Sequence, residues 1–249
     1  MNKEKLLTVL ILPSMWFLYV LFELFSGNLY DLNTLIFNFI LLIPLLFIGF
    51  YFYKINLKYR NGISKKKLII FSTLLIALDQ LTKIIIKLYF FDSKFYIIPK
   101  TLSFNPIINT SGSWLNVRFK TNISFSILIF INFIALFIFL ELYRYFKSKN
   151  IKGFYADCCL IFIFAGSFCS LVDKLFYGGS LDFIGVGSLF IADFKDIFIN
   201  IAIFLFVMTC YQNGFFSNNE ETTLKEDLNN IKDFLKFILL DLKALIKLK

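Results

Sequence analysis

Six apolar runs of about bilayer-spanning length constrain this chain more than any other feature of its sequence. Hydrophobic residues make up 58% of the 249 residues, aromatic residues make up 20%, and the mean hydropathy is +0.74. Because a transmembrane helix needs roughly 20 mainly apolar residues, we predict an all-α polytopic membrane protein. The predicted spans are Leu6 to Phe25, Leu32 to Tyr53, Leu68 to about Phe91, Ile123 to Tyr143, Phe154 to about Val172, and Ile197 to about Cys210.

Lysine and arginine are unevenly distributed among the segments that join these runs. If the N-terminus is cytoplasmic, the inner segments hold 18 of these residues and the outer segments hold six. Since basic residues favour the cytoplasmic side, both termini are predicted to be cytoplasmic, with segments 92–122 and 173–196 facing outward together. The net charge of +9 then follows from this topology and from contact with anionic membrane lipids. A nucleic-acid partner is not predicted.

The chain contains no histidine, which excludes Ser-His and Cys-His nucleophilic catalysis and disfavours a transition-metal site. Its four cysteines all lie in predicted spans and form no C-x-x-C pair, so we interpret them as apolar packing residues. We predict no metal and no cofactor.

Four aspartates gather near the outer ends of the last two spans. They are Asp173, Asp182, Asp193 and Asp196. A charged carboxylate at the centre of a membrane helix costs roughly 2.5–3.5 kcal/mol, so acids collected at a membrane boundary indicate a functional site. Asp182 has apolar neighbours on both sides, and the desolvation they cause is expected to raise its pKa. Asp193 and Asp196 are expected to lie on one face at the start of a helix, where the N-terminus favours an anion.

Two further groups of polar residues lie on the third and fifth spans. Asp79, Thr82 and Lys83 share one helical face because they are three and four residues apart, and Ser170, Asp173 and Lys174 repeat this arrangement. Each group could support a catalytic site. Each could equally be an intramembrane salt bridge that only holds helices together, and the spacing leaves both interpretations open.

Two neighbouring aspartates can hydrolyse a peptide without histidine, metal or cofactor. Close carboxylates do not both ionise easily, so the pair holds one shared proton. The ionised member takes a proton from water, which attacks a peptide carbonyl, while the protonated member stabilises the developing oxyanion. An aspartyl hydrolase working at the membrane surface is therefore our leading hypothesis.

Five short motifs occur in order between residues 66 and 212. They are Asp79 to Lys83 (D-Q-L-T-K), Asn109 to Trp114 (N-T-S-G-S-W), Ala165 to Lys174 (A-G-S-F-C-S-L-V-D-K), Leu181 to Ile184 (L-D-F-I) and Asp193 to Asp196 (D-F-K-D). In order and in topology they resemble the lipoprotein signal peptidases (signal peptidase II), polytopic aspartyl proteases of bacterial membranes. The family motifs are D-Q-x-S/T-K, N-x-G-A-A-F, G-A-L-G-N-x-x-D-R, V-D-F-I and N-x-A-D.

The resemblance implies that Asp182 and Asp196 are the catalytic residues. Asp193 stands at the family's asparagine, so it is expected to orient the pair, and its replacement by asparagine is expected to keep substantial activity. Ser170 and Lys174 replace an asparagine and an arginine, and lysine lacks the bidentate fork of arginine. The implied substrate-binding or site-supporting residues are Asp79, Thr82, Lys83, Asn109, Trp114, Ser170, Asp173, Lys174 and Asp193.

The implied substrate is a prolipoprotein signal peptide, cut just before a cysteine that carries diacylglycerol. The resemblance places the protein in the bacterial cytoplasmic (inner) membrane with its active site facing outward, and the expected partners are diacylglyceryl-prolipoprotein substrates and membrane lipids. Loop 92–122 would form a small extracytoplasmic β-cradle over the substrate.

We divide the chain into three sections. Residues 1–62 form a two-span N-terminal extension with a basic loop, residues 63–212 a four-span aspartyl peptidase core, and residues 213–249 a cytoplasmic linker with an amphipathic helix. Apolar residues of this helix repeat at alternating spacings of four and three. It could lie on the cytoplasmic membrane face or bind a partner, and the sequence does not choose between these.

Two functions from other classes are alternatives to the peptidase. An ion- or proton-coupled transporter would also carry Asp79, Lys83 and Asp196 in its bundle, but it should show acids near mid-span in several helices and an internal repeat, which the sequence lacks. A catalytically silent membrane scaffold of the same fold is the second alternative. Normal behaviour after removal of Asp182 would favour it.

Overall fold

The computed structural model describes residues 3–29, 31–112, 114–149, 151, 153–216 and 224–247. Its helices are α1 (Lys3–Phe25), α2 (Leu32–Ile40), α3 (Leu42–Lys58), α4 (Lys65–Ile85), α5 (Trp114–Phe119), α6 (Phe125–Ser148), α7 (Phe154–Phe176), α8 (Phe194–Gln212) and α9 (Leu224–Lys247). A π-helical turn, Ile86–Phe90, continues α4. The strands are β1 (Phe95–Ile98), β2 (Leu102–Asn109), β3 (Ser180–Val186) and β4 (Phe190–Ala192).

Six helical segments in the described part of the chain are long and apolar enough to cross a membrane, which confirms the six predicted spans. They are Lys3–Phe25, Leu32–Lys58, Lys65–Phe90, Phe125–Ser148, Phe154–Phe176 and Phe194–Gln212. The second is interrupted at Leu41, between α2 and α3. Pro44 explains the interruption, because it has no amide hydrogen to donate to the carbonyl of Ile40.

Helix α7 lies at the centre of the bundle, in contact with α4, α6 and α8. Within its most apolar stretch 72% of the residues are buried, against 17% in α4 and in α6. Tyr155 of α7 packs with Phe204 and Met208 of α8 in the main apolar core. Large apolar side chains such as Leu81 of α4 and Phe130 of α6 are exposed, as expected for helices that face lipid.

The N-terminal extension packs against the rest of the chain through α1. The hydroxyls of Thr8 and Tyr155 are 2.9 Å apart, and the Trp16 ring lies 6.1 Å from the ring of Phe190 in β4. These contacts make the extension part of the same apolar core as α7 and α8. The three-part division of the chain stays a prediction.

The strands form one antiparallel sheet in the order β1-β2-β3-β4, which confirms a small sheet beside the helices. Ile107 is opposite Asp182 and Asn109 is opposite Ser180. The register between β2 and β3 shifts at Pro106, which has no amide hydrogen for the ladder. Strand β4 leads directly into α8, so the sheet holds Asp182 beside the first turn of that helix.

Helix α9 confirms the predicted C-terminal helix and packs against α6. Arg144 pairs with Asp241 at 2.6 Å, and the Tyr145 ring lies 5.4 Å from the rings of Phe234 and Phe237. Linker residues 217–223 lie outside the described part of the chain.

Candidate active site

The first turn of α8 presents two of the candidate carboxylates through a reciprocal capping box. The Asp196 amide donates to Asp193 Oδ1 at 3.2 Å, and the Asp193 amide donates to Asp196 Oδ2 at 3.2 Å. Such a box satisfies two amides that a helix N-terminus would otherwise leave unpaired. The local sequence D-F-K-D therefore fixes the spacing of both carboxylates.

Asp182 reaches the same place from strand β3. Its side chain is nearly fully buried, and Oδ2 accepts a hydrogen bond from Asn109 Nδ2 at 2.8 Å. Oδ1 accepts no hydrogen bond from the described residues. Burial raises the pKa of Asp182 above its usual range, as its apolar neighbours predicted. Asp182 is therefore a carboxyl that retains a proton more readily than an exposed aspartate.

Carboxylate oxygens of Asp182, Asp193 and Asp196 all lie within 4.8 Å of one another. Their environments differ, because the side chain of Asp196 is 42% exposed while those of Asp182 and Asp193 are 4% and 0% exposed. Two carboxylates in unequal environments separate into a proton donor and a proton acceptor more easily than two identical ones.

Lys195 lies among these three carboxylates, and our sequence interpretation gave it no role. Its Nζ is 2.6 Å from Asp193 Oδ2 and 2.5 Å from the Ser180 hydroxyl. Asp182 Oδ1 is 3.6 Å away and Asp196 Oδ1 is 3.8 Å away. This ammonium therefore places a buried positive charge among the three carboxylates. One feature of the sequence could have identified Lys195 as a site residue: it directly precedes Asp196, at a position where the resembled motif has alanine.

Lys83 connects three helices beneath the site. Its Nζ lies 2.8 Å from Asp79, 2.7 Å from Asp173 and 2.6 Å from Asp193, and the lysine side chain is only 4% exposed. Burial alone would raise the pKa of Asp193, but the Lys195 and Lys83 ammonium groups outweigh it and hold that pKa below its usual range. Asp193 is therefore an ionised anchor for two buried ammonium groups.

The remaining predicted site residues lie at different distances from this cluster. The Lys174 ammonium donates to Ser170 Oγ at 2.5 Å and has no carboxylate within 4 Å among the described residues. Thr82 makes no side-chain hydrogen bond within that same part of the chain. Trp114 begins α5, and its side chain lies outside what the structure describes. The structure thus brings together Asp79, Lys83, Asn109, Asp173, Asp182, Asp193 and Asp196.

The profile of one protein family matches this chain over residues 71–212, which is more than half of its length. That family is described as signal peptidase (SPase) II. The chain belongs to the signal peptidase II family. The matched region extends from α4 to the last residue of α8 and contains every residue of the cluster described above. Membership confirms the resemblance and makes the protein a multi-pass membrane peptidase of the lipoprotein-processing class.

Two solved structures are similar to this signal peptidase II family member. One, a bacterial membrane enzyme determined by the in meso method at 2.3 Å resolution, has a TM-score of 0.51 and 22% identity, covering 66% of this chain and 98% of that chain. Another bacterial membrane enzyme, determined by the same method at 1.9 Å, has a TM-score of 0.48 and 21% identity, covering 60% and 95%. The first likeness shows a shared fold. A comparison with curated proteins gives no significant match.

Proposed function

We propose that this protein is an aspartyl endopeptidase that removes signal peptides from diacylglyceryl-modified prolipoproteins, with Asp182 and Asp196 as its catalytic pair. The observation that carries the proposal is the approach of these two carboxylates from β3 and α8 to within 4.8 Å. One buried oxygen of Asp182 accepts no hydrogen bond from the described residues, so it keeps the capacity to accept one from a group that enters the site. Family membership supports the reaction class.

The unequal environments of the two carboxyls assign their roles. Contact with solvent stabilises a charged carboxylate, so we assign the ionised role to the partly exposed Asp196 and the shared proton to the buried Asp182. Asp196 takes a proton from water, the water oxygen bonds to the peptide carbonyl carbon, and Asp182 gives its proton to the carbonyl oxygen. When this intermediate collapses, the carbon–nitrogen bond breaks. Asp196 then protonates the leaving nitrogen, and Asp182 recovers a proton from the hydroxyl that becomes the new carbonyl.

Neighbouring residues hold this pair in position. Asn109 binds one oxygen of Asp182 and so restricts the orientation of this carboxyl group. Asp193 positions Asp196 through the capping box, while Lys83 ties Asp193 to Asp79 and Asp173. The roles of Thr82, Trp114, Ser170 and Lys174 stay predictions.

The distribution of basic residues supports a topology with both termini in the cytoplasm and the site at the outer face. The catalytic pair lies where the sheet meets the end of the bundle. The lipid chains of a modified cysteine could therefore remain in the bilayer, against the exposed apolar faces of the helices, while the adjacent peptide bond reaches Asp182.

Cleavage of a synthetic prolipoprotein peptide by the purified protein in nanodiscs tests the proposal. We expect one cut, directly before the diacylglyceryl-modified cysteine, and none in the same peptide without the lipid. Asp182→Asn should be inactive, and Asp92→Asn, which alters an exposed outer carboxylate, should match the wild type. An intact peptide with wild-type protein would instead favour the transporter or the silent scaffold.

A further inference from the structure

We infer that Lys195 is a positioning residue of the catalytic pair, and that Lys195 and Asp193 act as one charged unit beside Asp182 and Asp196. This inference rests on the proposed function, because it concerns the pair that we assign to catalysis. It adds a residue to which the sequence interpretation gave no role.

The Lys195 residue is held at both ends. Its backbone amide donates to Asp79 Oδ1 at 3.2 Å, and its ammonium is bound by Asp193 Oδ2 at 2.6 Å and by Ser180 Oγ at 2.5 Å. The residue is 6% exposed, so water has little access to the ammonium. One backbone contact and two side-chain contacts therefore give this residue a defined position.

That position is nearly equidistant from the two catalytic carboxyls, at 3.6 Å from Asp182 and 3.8 Å from Asp196. Both distances exceed those of a charge-assisted hydrogen bond, so neither carboxyl is tied down by the ammonium. Both are close enough for strong attraction between opposite charges, particularly at a buried site. Lys195 therefore acts on the charge of the pair while leaving the carboxyl oxygens able to transfer protons.

No other ammonium or guanidinium lies within 4 Å of Asp182 or Asp196 among the described residues. The charged groups that surround the pair are Asp79 and Lys83 of α4, Asp173 and Lys174 of α7, and Asp193 and Lys195 at the start of α8. Lys83 already serves Asp79, Asp173 and Asp193. Removing Lys195 would thus leave the pair without its nearest counter-charge.

Asp193 and Lys195 also depend on each other. Without Lys195, Asp193 keeps only Lys83 as an ammonium partner. With asparagine at 193, an amide group would face two ammonium groups, and only its oxygen could accept from them. Replacing both residues removes the mismatch and produces the N-x-A-D pattern of the resembled motif. The two replacements should therefore be strongly non-additive.

Profiles of kcat/KM against pH test this inference with the lipopeptide substrate. In Lys195→Ala we expect both the acidic and the basic limb of the bell-shaped profile to move to higher pH by about one unit. A nearby positive charge favours the ionised form of a carboxyl, so its removal raises the pH at which each carboxyl of the pair ionises. Lys195→Arg retains the charge and should leave the limbs near their wild-type positions. Lys87→Ala is the matched control. It removes an exposed lysine from the π-helical turn that continues α4, and it should change neither limb.

The double variant Asp193→Asn/Lys195→Ala keeps the test decisive if a single variant does not fold. We expect it to be more stable and more active than Asp193→Asn, with limbs at higher pH than those of Asp193→Asn, because the two variants differ only in the charge of residue 195. Compared with wild type the shift should be smaller than in Lys195→Ala, since the negative charge of Asp193 is lost as well. With an active wild type, limbs in Lys195→Ala that match those of wild type would overturn the role of Lys195 alone, and so would limbs in the double variant that match those of Asp193→Asn. An inactive wild type would overturn the proposed function instead.

Discussion

Lys83 Nζ lies 2.6 Å from Asp193 Oδ2, and this contact joins the polar motif of α4 to the residue that caps α8. The same ammonium reaches Asp79 on its own helix and Asp173 on α7. Three helices therefore meet at one buried positive charge directly beneath the proposed catalytic pair. The position of Asp193, and through the capping box that of Asp196, depends on this meeting point.

Lys83→Met should destabilise the protein by about 3–5 kcal/mol, since it leaves buried carboxylates without a counter-charge. Thermal unfolding in detergent would measure the loss as a lower Tm. Lys87→Met is the matched control, because Lys87 is exposed and lies over the Tyr177 ring at 5.2 Å. Equal Tm values for the two variants would contradict the structural role of Lys83.

Asp182→Asn should abolish cleavage and also change how stability depends on pH. Burial raises the pKa of Asp182, so the folded protein binds this proton more tightly than the unfolded chain. Ionisation therefore destabilises the fold as pH rises from the ordinary value of about 4 through the raised pKa. Asparagine does not ionise. We expect the variant to have a higher Tm than wild type at neutral pH and a similar Tm near pH 4.

A Tm difference that is constant across this range would contradict the raised pKa of Asp182. Asp92→Asn controls for the loss of a carboxylate and should track the wild type at each pH, because Asp92 is exposed.

Asp196→Asn and Asp193→Asn should fail in different ways. Asp196 is 42% exposed and its carboxylate is bound by one backbone amide, so Asp196→Asn should be inactive with a Tm close to that of wild type. Asp193 is buried and binds Lys83, Lys195 and Ser180, so Asp193→Asn should lower the Tm as well as the activity. Activity and Tm measured together decide between the assignments. An active Asp196→Asn beside a stable, inactive Asp193→Asn would reverse them.

Glu23→Gln should weaken the attachment of α5 to α1 without affecting the other helices. Glu23 is 3% exposed, and its Oε2 lies 3.3 Å from the Arg118 guanidinium, which connects α1 to α5. Loss of this ion pair should speed hydrogen exchange of the α5 amides. Arg144→Gln breaks a comparable ion pair with Asp241 and should speed exchange in α9 and not in α5. Unchanged exchange in α5 of Glu23→Gln would show that the pair does not hold this helix.

The structure changes one expectation drawn from the sequence. By itself, the motif comparison predicts that Asp193→Asn keeps substantial activity, because the resembled motif has asparagine there. In the folded protein Asp193 contacts two buried ammonium groups that asparagine cannot satisfy. One of these, Lys195, is absent from that motif. We therefore expect Asp193→Asn to keep substantial activity only where residue 195 carries no charge.

Local properties of the sequence were enough to predict the six spans, the C-terminal helix and the environment of Asp182. The length of an apolar segment decides whether a helix can cross a bilayer. The apolar neighbours of Asp182 remove water from its carboxyl group in any packing that buries them. The turn D-F-K-D likewise sets the distance between Asp193 and Asp196 through hydrogen bonds only three residues apart.

Only the tertiary structure decided which carboxylates Lys83 and Lys195 serve, and that the N-terminal extension packs against α7 and α8. A lysine ammonium sits at the end of a flexible four-carbon chain, so sequence spacing restricts its partners on one helix and says nothing about those on others. Lys83 was expected to pair with Asp79, and the packing of α7 and α8 added Asp173 and Asp193. Lys195 points into the site because β4 and α8 fold it between Asp182 and Asp193, which is a long-range arrangement that no local pattern encodes.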